Sequence, residues 1–193
     1  MARMSTRRIL VTGGAGFLGS HFVRRWLAQD SGEVLNLDLL TYAGSPARLE
    51  DVRSDPRYRF LRADVTDPDA ISEAIADFQP GLVAHFAAES HVTRSERDPD
   101  RFRTTNVDGT RVLLEAAVKH DVRRFVHVST DEVYGPILNG SYREEDKLPG
   151  DGQASSPYAK SKALADDLAR GFGSDMDVVV VRPTNCFGPW QYP

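Results

Sequence analysis

Short apolar runs alternate with longer stretches of helical periodicity along the 193-residue chain. The short runs are rich in β-branched residues and predict six strands: Arg8–Thr12, Val34–Asp38, Tyr58–Ala63, Leu82–Phe86, Arg124–Ser129 and Val178–Arg182. The longer stretches predict helices: Phe17–Gln29, a short piece near Ala47–Val52, Pro68–Phe78, a long segment from Arg101 to His120, and Pro157–Phe172. Strands that alternate with helices in this way predict an α/β fold.

Two of the predicted strands contain continuous apolar runs. Ile9–Val11 and Val178–Val181 are apolar at every position, which indicates strands buried on both faces in a parallel sheet covered by helices. We therefore expect a doubly wound parallel sheet of the Rossmann type with six or more strands. Residues 1–193 are expected to form one domain, because the chain carries no linker and no internal repeat. The irregular stretch Gly135–Ser156 precedes a helix and should border the functional site as a loop.

The charge and cysteine content exclude several classes of partner. Twenty-four basic and 28 acidic side chains give a net charge of −4, so we expect no nucleic-acid partner. The longest apolar run, Val178–Val181, is too short to cross a bilayer, so no membrane partner is expected. A single cysteine, Cys186, cannot form an internal disulfide and fits a reducing, cytoplasmic compartment. The five histidines lack metal-ligand spacing, so we expect them to be structural or surface residues, with only His91 near the site, and we expect no metal.

A glycine-rich turn follows the first predicted strand and opens the first helix. Gly13, Gly16 and Gly19 are spaced to permit a tight turn and close approach of the backbone to a pyrophosphate. Asp38 ends the second predicted strand, where a carboxylate accepts hydrogen bonds from ribose hydroxyls and repels a 2′-phosphate. These residues indicate a dinucleotide site that prefers NAD to NADP. A glycine loop that binds no ligand is the alternative.

Tyr158 and Lys162 are four residues apart on the last predicted helix and therefore lie on one face of it. An ammonium group beside a phenol lowers the pKa of the phenol, which makes tyrosine a usable base for a hydroxyl proton. Lys160 should point to solvent instead. The same spacing also occurs on ordinary helix surfaces, and the dinucleotide turn is what favours the catalytic interpretation.

Three polar residues, Thr130, Asp131 and Glu132, follow the fifth predicted strand. Ligands of such sheets bind beyond the carboxyl ends of the strands, so these residues should face the cofactor crevice. Two adjacent carboxylates can divide acid and base work if one is kept protonated. The alternative is a helix N-terminus that carries acidic residues for electrostatic reasons.

Together these motifs resemble the extended short-chain dehydrogenase/reductase superfamily and, within it, the dTDP-glucose 4,6-dehydratases. The resemblance covers nearly the whole chain, and Thr130-Asp131-Glu132 is its most specific element. Its remaining signs are the glycine turn, Asp38 with Thr41-Tyr42-Ala43-Gly44, Ala87-Ala88-Glu89-Ser90-His91-Val92, Thr105-Asn106-Val107 before Gly109-Thr110, Val133-Tyr134-Gly135, Tyr158 with Lys162, and Arg182-Pro183-Thr184-Asn185.

The resemblance implies a position for each residue around NAD and substrate. The pyrophosphate would lie against Phe17 and Leu18, the adenosine ribose against Asp38, Leu39 and Thr41, and the adenine against Asp64 and Val65. From spacing alone, Asp64 could equally be a turn or cap residue. The remaining dinucleotide contacts would be Phe86, Ala87, Ala88, Ser90 and Thr105, with Cys186 against the nicotinamide or, alternatively, a small buried hydrophobe. The hexose or its phosphates would meet Ser90, Thr130 and Asn185.

The implied reaction removes water from a nucleotide-linked hexose with NAD as a temporary hydride store. Tyr158 would take the C4 hydroxyl proton, Glu132 the C5 proton, and Asp131 would protonate the departing C6 hydroxyl. Thr130 would bind the C4 oxygen and Lys162 the nicotinamide ribose. An epimerase or decarboxylase of the same superfamily needs no such acid–base pair, and a non-catalytic NAD-binding module is a further alternative.

Three departures from the family pattern change the expectations. Thr93 replaces an aspartate, which affects local packing or a helix cap, and Phe172 replaces a tyrosine at a helix end. The chain ends at Pro193, where relatives continue into a smaller substrate domain, so we expect that domain to be absent. The resemblance also implies a homodimer formed through the Arg101–His120 and Pro157–Phe172 helices.

Overall fold

The computed structural model describes residues 7–29, 32–137, 139–146, 148 and 156–191. In this part of the chain six strands form one sheet in the order β3-β2-β1-β4-β5-β6, and every neighbouring pair is parallel. The strands are β1 (Arg8–Thr12), β2 (Glu33–Leu37), β3 (Tyr58–Leu61), β4 (Leu82–His85), β5 (Arg124–Val128) and β6 (Asp177–Val181). The doubly wound, Rossmann-type α/β prediction is confirmed.

Several predicted strands extend one or two residues too far at their carboxyl ends. Asp38 and Ser129 lie just beyond β2 and β5, although the backbone N–H of each still donates to the neighbouring strand. Beyond these positions the chain turns away from the sheet into loops that border a cavity. The stretch Gly135–Ser156 contains no helix or strand where it is described; residues 138, 147 and 149–155 lie outside the described residues.

Six helices flank the sheet in the described part: α1 (Phe17–Gln29), α2 (Pro68–Phe78), α3 (Val92–Ser95), α4 (Pro99–Arg103), α5 (Gly109–Lys119) and α6 (Pro157–Gly171). Three short 3₁₀ turns accompany them: Pro46–Leu49, Asp131–Tyr134 and Phe172–Ser174. The predicted helix from Arg101 to His120 is not uniform. It begins earlier, passes through a π turn at Thr104–Asp108 and ends at Lys119. The π turn places the Asn106 amide against the backbone N–H and carbonyl of Glu89.

The sheet is buried on both faces at its centre. On one face β1 contributes Leu10 to a core formed with α2, α5 and α6. On the other face Ile9 and Val11 pack against Val23 and Leu27 of α1. This double burial is the environment that the apolar run in β1 predicts, and it rigidly supports the carboxyl ends of the central strands.

The edge strand β6 differs from β1 despite its equally apolar sequence. Val178 and Val180 pack against the core, whereas Val179 and Val181 are 40% and 43% exposed. The prediction that Val178–Val181 is buried on both faces is therefore wrong for the part of the chain that the structure describes. An apolar run does not by itself distinguish a central strand from an edge strand with one covered face.

The two departures near helix ends have modest structural consequences. Thr93 is exposed within the short helix α3, which begins at Val92 without a side-chain cap from His91. Phe172 follows α6 as its C-cap residue and packs against the core. Among the described helices, none is long and apolar enough to cross a membrane.

Candidate active site

The site lies where the strand order reverses. The chain leaves β1 toward β2 on one side and reaches β4 on the other, so the carboxyl ends of β1 and β4 diverge into a crevice. Crevices of this kind are the usual ligand sites of open α/β sheets. Loops that follow β1, β2, β4 and β5 surround the crevice and bring the predicted motifs together.

The glycine turn after β1 is closely packed against neighbouring backbone. Gly13 has a φ of +70°, and a Cβ there would lie 2.5 Å from the Ala87 backbone nitrogen. A Cβ on Gly19 would lie 2.2 Å from the Gly13 carbonyl oxygen. Side chains are therefore excluded at both positions, and the first turn of α1 opens directly on the crevice. A helix N-terminus in this position attracts a phosphate group.

Asp38 is held rigidly at the end of β2. Its Oδ2 accepts a hydrogen bond from the Ala15 backbone N–H at 2.9 Å, and its Oδ1 accepts one from the Leu40 N–H at 2.8 Å. Burial raises the pKa of Asp38, while these two N–H groups and the charge of Arg48 lower it in part. The carboxylate thus has a defined orientation at the cavity wall.

A single cavity of about 620 Å³ joins the glycine turn to the tyrosine and lysine of α6. Every residue predicted to contact the cofactor lines it except Cys186: Gly13, Gly16, Phe17, Leu18, Gly19, Asp38, Leu39, Thr41, Asp64, Val65, Phe86, Ala87, Ala88, Ser90, Thr105, Tyr158 and Lys162. Asp64 lines the cavity, and its Oδ1 accepts a hydrogen bond from the Thr66 N–H at 3.0 Å within a turn, so its role in the turn is confirmed and the adenine contact stays a prediction.

The first turn of α6 sets the orientation of Tyr158 and Lys162. The Ser156 hydroxyl accepts a hydrogen bond from the Ala159 N–H at 3.0 Å, and Pro157 occupies the first turn. These features begin α6 at a point that directs Tyr158 and Lys162 into the cavity. Lys162 is almost fully buried, and its Nζ donates to the Val128 carbonyl at 2.7 Å. Lys160 is exposed, as predicted.

The pKa of Tyr158 differs from the sequence prediction. Burial raises the pKa of Tyr158 to about 12; a hydrogen bond with Thr130 opposes this shift, and Glu132 and Asp131 add to it. Burial lowers the pKa of Lys162 to about 8, against the charge of Asp166. The prediction of a lowered tyrosine pKa is therefore wrong for this structure, because desolvation of the phenol is the largest effect.

The turn after β5 brings the predicted acid–base residues next to Tyr158. The Thr130 hydroxyl accepts a hydrogen bond from the Glu132 N–H at 3.3 Å, and the same side chain lies close enough to the Tyr158 phenol to lower its pKa. It also donates to Asp131 Oδ1 at 3.3 Å. Burial, followed by the charge of Asp131, raises the pKa of Glu132. The three residues do not line the cavity themselves and approach it through Tyr158.

The segment after β6 departs from expectation. Asn185 and Cys186 are exposed and lie outside the cavity wall, so the interpretation of Cys186 as a small buried hydrophobe is wrong. Instead, Gln191 reaches the wall further along this segment. Arg48 Nε donates to the Trp190 carbonyl at 3.0 Å and thereby fixes the segment near α1.

Several wall residues were not identified from the sequence. Arg48 is buried and donates to the carbonyls of Ala15 and Ala43. Arg101 forms an ion pair with the buried Glu89 at 2.8 Å. Neither arginine belongs to a motif with recognisable spacing, and both reach the wall only because the fold brings distant segments together.

The histidines are distributed as predicted. His85 is buried, with its ring nitrogens 2.7 Å from the Thr12 hydroxyl and 3.0 Å from the Thr110 hydroxyl. His127 packs beside it, and burial lowers the pKa of both. His91 lines the cavity. Among the described residues, no group of His, Cys, Asp and Glu side chains comes together in a way that could hold a metal ion.

Comparison with known proteins gives close relatives over most of the chain. A dTDP-glucose 4,6-dehydratase from Streptomyces niveus is 46% identical over 193 residues, which is 96% of this chain and 56% of the relative. The solved structure of DesIV, a dTDP-glucose 4,6-dehydratase from Streptomyces venezuelae with NAD and TYD bound, matches with a TM-score of 0.90 at 47% identity, covering 96% of this chain and 58% of that one.

More distant relatives share the same fold. The UDP-glucose 4-epimerase of Thermus thermophilus, solved in complex with NAD, has a TM-score of 0.84 at 35% identity over 96% of this chain and 58% of its own. The chain thus spans little more than half the length of these proteins. The model of the NAD dependent epimerase/dehydratase family matches residues 9–193, and the chain belongs to that family.

Proposed function

We propose that this chain carries the NAD-binding, Rossmann-type domain, residues 1–193, of a nucleotide-sugar 4,6-dehydratase. The substrate class is a nucleotide-linked glucose, dTDP-glucose, and the product is the 4-keto-6-deoxy sugar. The observation that supports this proposal best is the position of the Thr130 side chain, which lowers the pKa of Tyr158 and donates to Asp131 Oδ1 at 3.3 Å, and so brings a tyrosine–lysine pair next to two adjacent carboxylates, Asp131 and Glu132. An epimerase or decarboxylase would use the first pair but has no need of the second.

The residues that line the cavity fit NAD in their chemistry. Gly13 and Gly19 keep side chains away from the place where a pyrophosphate would approach the first turn of α1. Asp38 presents a carboxylate where the ribose hydroxyls of the adenosine would lie, which favours NAD over NADP. Bound NAD would supply the hydride acceptor for oxidation at C4 and the hydride donor for reduction at C6.

The first step is oxidation at C4. Tyr158 is the proposed proton acceptor for the C4 hydroxyl, a role that requires Lys162 and the positive charge of bound NAD to lower the phenol pKa from its raised value. Thr130, beside the phenol, is placed to bind the same sugar oxygen. Lys162 keeps its Nζ fixed on the Val128 carbonyl and has further N–H donors for a ribose hydroxyl. Ser90, in the wall beside them, is proposed to contact the hexose.

The second step is elimination of water across C5 and C6. A ketone at C4 acidifies the C5 hydrogen, and Glu132 is the proposed base. Burial and the neighbouring charge raise the pKa of Glu132, so its carboxylate is a stronger proton acceptor than an exposed one. Asp131 is the proposed acid that protonates the departing C6 hydroxyl. Because its Oδ1 accepts from the Thr130 hydroxyl, its orientation is tied to that of the C4-binding residue.

We further propose that the protein is a cytoplasmic homodimer that associates through α5 and α6. The single exposed cysteine, Cys186, is compatible with a reducing compartment. The two helices lie side by side on the same face of the sheet, and together they offer the surface for a bundle with a second copy. Light scattering that shows a monomer at micromolar concentration would refute the dimer.

The function is tested with the protein as its gene encodes it, incubated with NAD and dTDP-glucose. Mass spectrometry should show the loss of one water molecule from the sugar nucleotide, and no net reduction of NAD should accumulate at the end of the reaction. A C4 epimer of unchanged mass would refute the dehydratase proposal.

A further inference from the structure

Arg182, the residue after β6, connects the end of that strand to α6. Its side chain is only 11% exposed, and its Nε and Nη2 each donate to one oxygen of the Asp166 carboxylate at 2.8 Å. Asp166 lies on α6 and is fully buried. Such a two-pronged ion pair fixes both distance and orientation, and a buried carboxylate is strongly destabilising without its partner. The end of β6 is therefore locked to α6.

The third nitrogen of the same guanidinium, Nη1, contacts the 3₁₀ turn Asp131–Tyr134, which carries the proposed acid and base. Arg182 Nη1 donates to the Tyr134 hydroxyl at 2.6 Å, and the guanidinium carbon lies 4.9 Å from the centre of the Tyr134 ring. Tyr134 is the last residue of the turn Asp131–Tyr134. At the first residue of that turn, the Asp131 N–H donates to the carbonyl of Pro183 at 3.1 Å. Both ends of the turn are thus tied to two consecutive residues, Arg182 and Pro183.

These contacts connect the turn that carries Asp131 and Glu132, the proposed elimination residues, to α6, which carries Tyr158, the proposed oxidation residue. Asp166 lies about two turns further along α6 than Tyr158, so fixing one fixes the other. We propose that Arg182 is a positioning residue that holds the Asp131 and Glu132 carboxylates in register with Tyr158. This inference rests on the proposed function. Arg182, Asp166 and Tyr134 do not line the cavity, so they act through the residues that they hold.

The two half-reactions should respond differently to loss of this contact. C4 oxidation uses Tyr158 and Lys162, which stay together on α6, and Thr130, which precedes the turn and follows Ser129, whose N–H donates to the Val181 carbonyl at 2.7 Å. Elimination needs Glu132 and Asp131 at the correct distance from a sugar that is bound beside Tyr158. A misplacement of about 1 Å can reduce a rate by about a hundredfold, so a shifted turn affects elimination first.

The test uses the protein as its gene encodes it, with NAD and dTDP-glucose. Tyr134→Phe removes one hydroxyl but keeps the ring and the Arg182–Asp166 ion pair. Arg182→Lys keeps the charge but removes the two-pronged geometry. Arg170→Gln is the matched control, because Arg170 also contacts Asp166, at 3.2 Å, but makes no contact with Tyr134. The three readouts are the rise of reduced-cofactor absorbance after mixing, the rate of 4-keto-6-deoxy product formation, and the melting temperature.

For Tyr134→Phe we expect product formation to fall about tenfold or more, while the oxidation rate stays within about twofold of the parent. Reduced cofactor should therefore accumulate. Arg182→Lys should show the same imbalance more strongly if it folds, and Arg170→Gln should behave like the parent. Parallel losses in both steps, together with a lower melting temperature, would indicate a purely structural role and overturn the inference.

The outcome also separates this inference from the proposed function. A parent protein that dehydrates the sugar, with a Tyr134→Phe variant whose ratio of the two rates is unchanged, refutes the positioning role alone. A parent protein that forms no dehydrated sugar refutes the proposed function and, with it, the inference.

Discussion

The Asp38 carboxylate determines the expected cofactor choice, and Asp38→Asn perturbs it with little change in size. Asp38 is 8% exposed, and each of its oxygens already accepts one backbone N–H, from Ala15 and from Leu40. Asparagine has one carbonyl oxygen and one amide nitrogen. One of the two backbone N–H groups must therefore face another donor. The substitution also removes the negative charge that opposes a 2′-phosphate.

The magnitudes follow from these contacts. Leaving one buried N–H without an acceptor costs about 1–3 kcal/mol, so the free energy of unfolding should fall by about that amount. A hydrogen bond to a charged group contributes about 1.5–3 kcal/mol. Its loss at the ribose should weaken NAD binding by about tenfold to a hundredfold, since about 1.4 kcal/mol corresponds to a factor of ten. NADP gains from the lost repulsion, so the affinity ratio should move toward NADP by at least about tenfold.

The assay is calorimetric titration of NAD and NADP into the parent, Asp38→Asn and Asp64→Asn. Asp64→Asn is the control, because Asp64 also lines the cavity and accepts a backbone N–H, from Thr66. Only Asp38→Asn should change the ratio of the two affinities. Equal affinities in the parent, or a parent-like ratio in Asp38→Asn, would show that the cofactor choice is made elsewhere.

The same carboxylate predicts a pH dependence. Burial raises the pKa of Asp38 above its ordinary value, so the group takes up a proton at a higher pH than an exposed aspartate does. Protonation removes the charge that repels a 2′-phosphate. The preference for NAD should therefore be greatest above the raised pKa and decline as the pH falls through it, and Asp38→Asn should show no such decline.

Three further predictions concern the residues around the sugar. Tyr158→Phe should lower C4 oxidation by about 10² to 10⁴, measured by rapid-mixing absorbance, with an unchanged melting temperature; parent-like turnover would place the base elsewhere. Glu132→Gln should still accumulate reduced cofactor but form product far more slowly and exchange C5 hydrogen poorly; product at the parent rate contradicts this. Because the Lys162 pKa falls from 10.5 to about 8, the unfolded chain binds the extra proton between these values, so stability should rise with pH there. Denaturant titrations should show that Lys162→Met lacks this rise.

Local patterns in the sequence were sufficient for the architecture and, at the cavity wall, for the glycine turn, Asp38, Tyr158 and Lys162, whereas the other predicted wall residues came from the family resemblance. The alternation of β-branched runs with helical periodicity depends on neighbours within a few residues, so it located all six described strands and the bounds of α1 and α2. The glycine spacing and the interval between Tyr158 and Lys162 are equally local. Both patterns predicted residues that line the cavity, because the parallel strands of a doubly wound sheet all end at the same edge, where the cavity lies.

Tertiary structure decided what depends on residues far apart in the chain. The exposure of Val179 and Val181 depends on what covers the edge of the sheet, which an apolar run does not encode. The raised pKa of Tyr158 reflects desolvation by surrounding elements, whereas its spacing from Lys162 predicts the opposite shift. Arg48 and Arg182 act through partners on other elements of the fold, such as Trp190 and Asp166. Burial and long-range hydrogen bonds arise only when the chain is folded, so the sequence supplied the chemical groups and the fold set their environment.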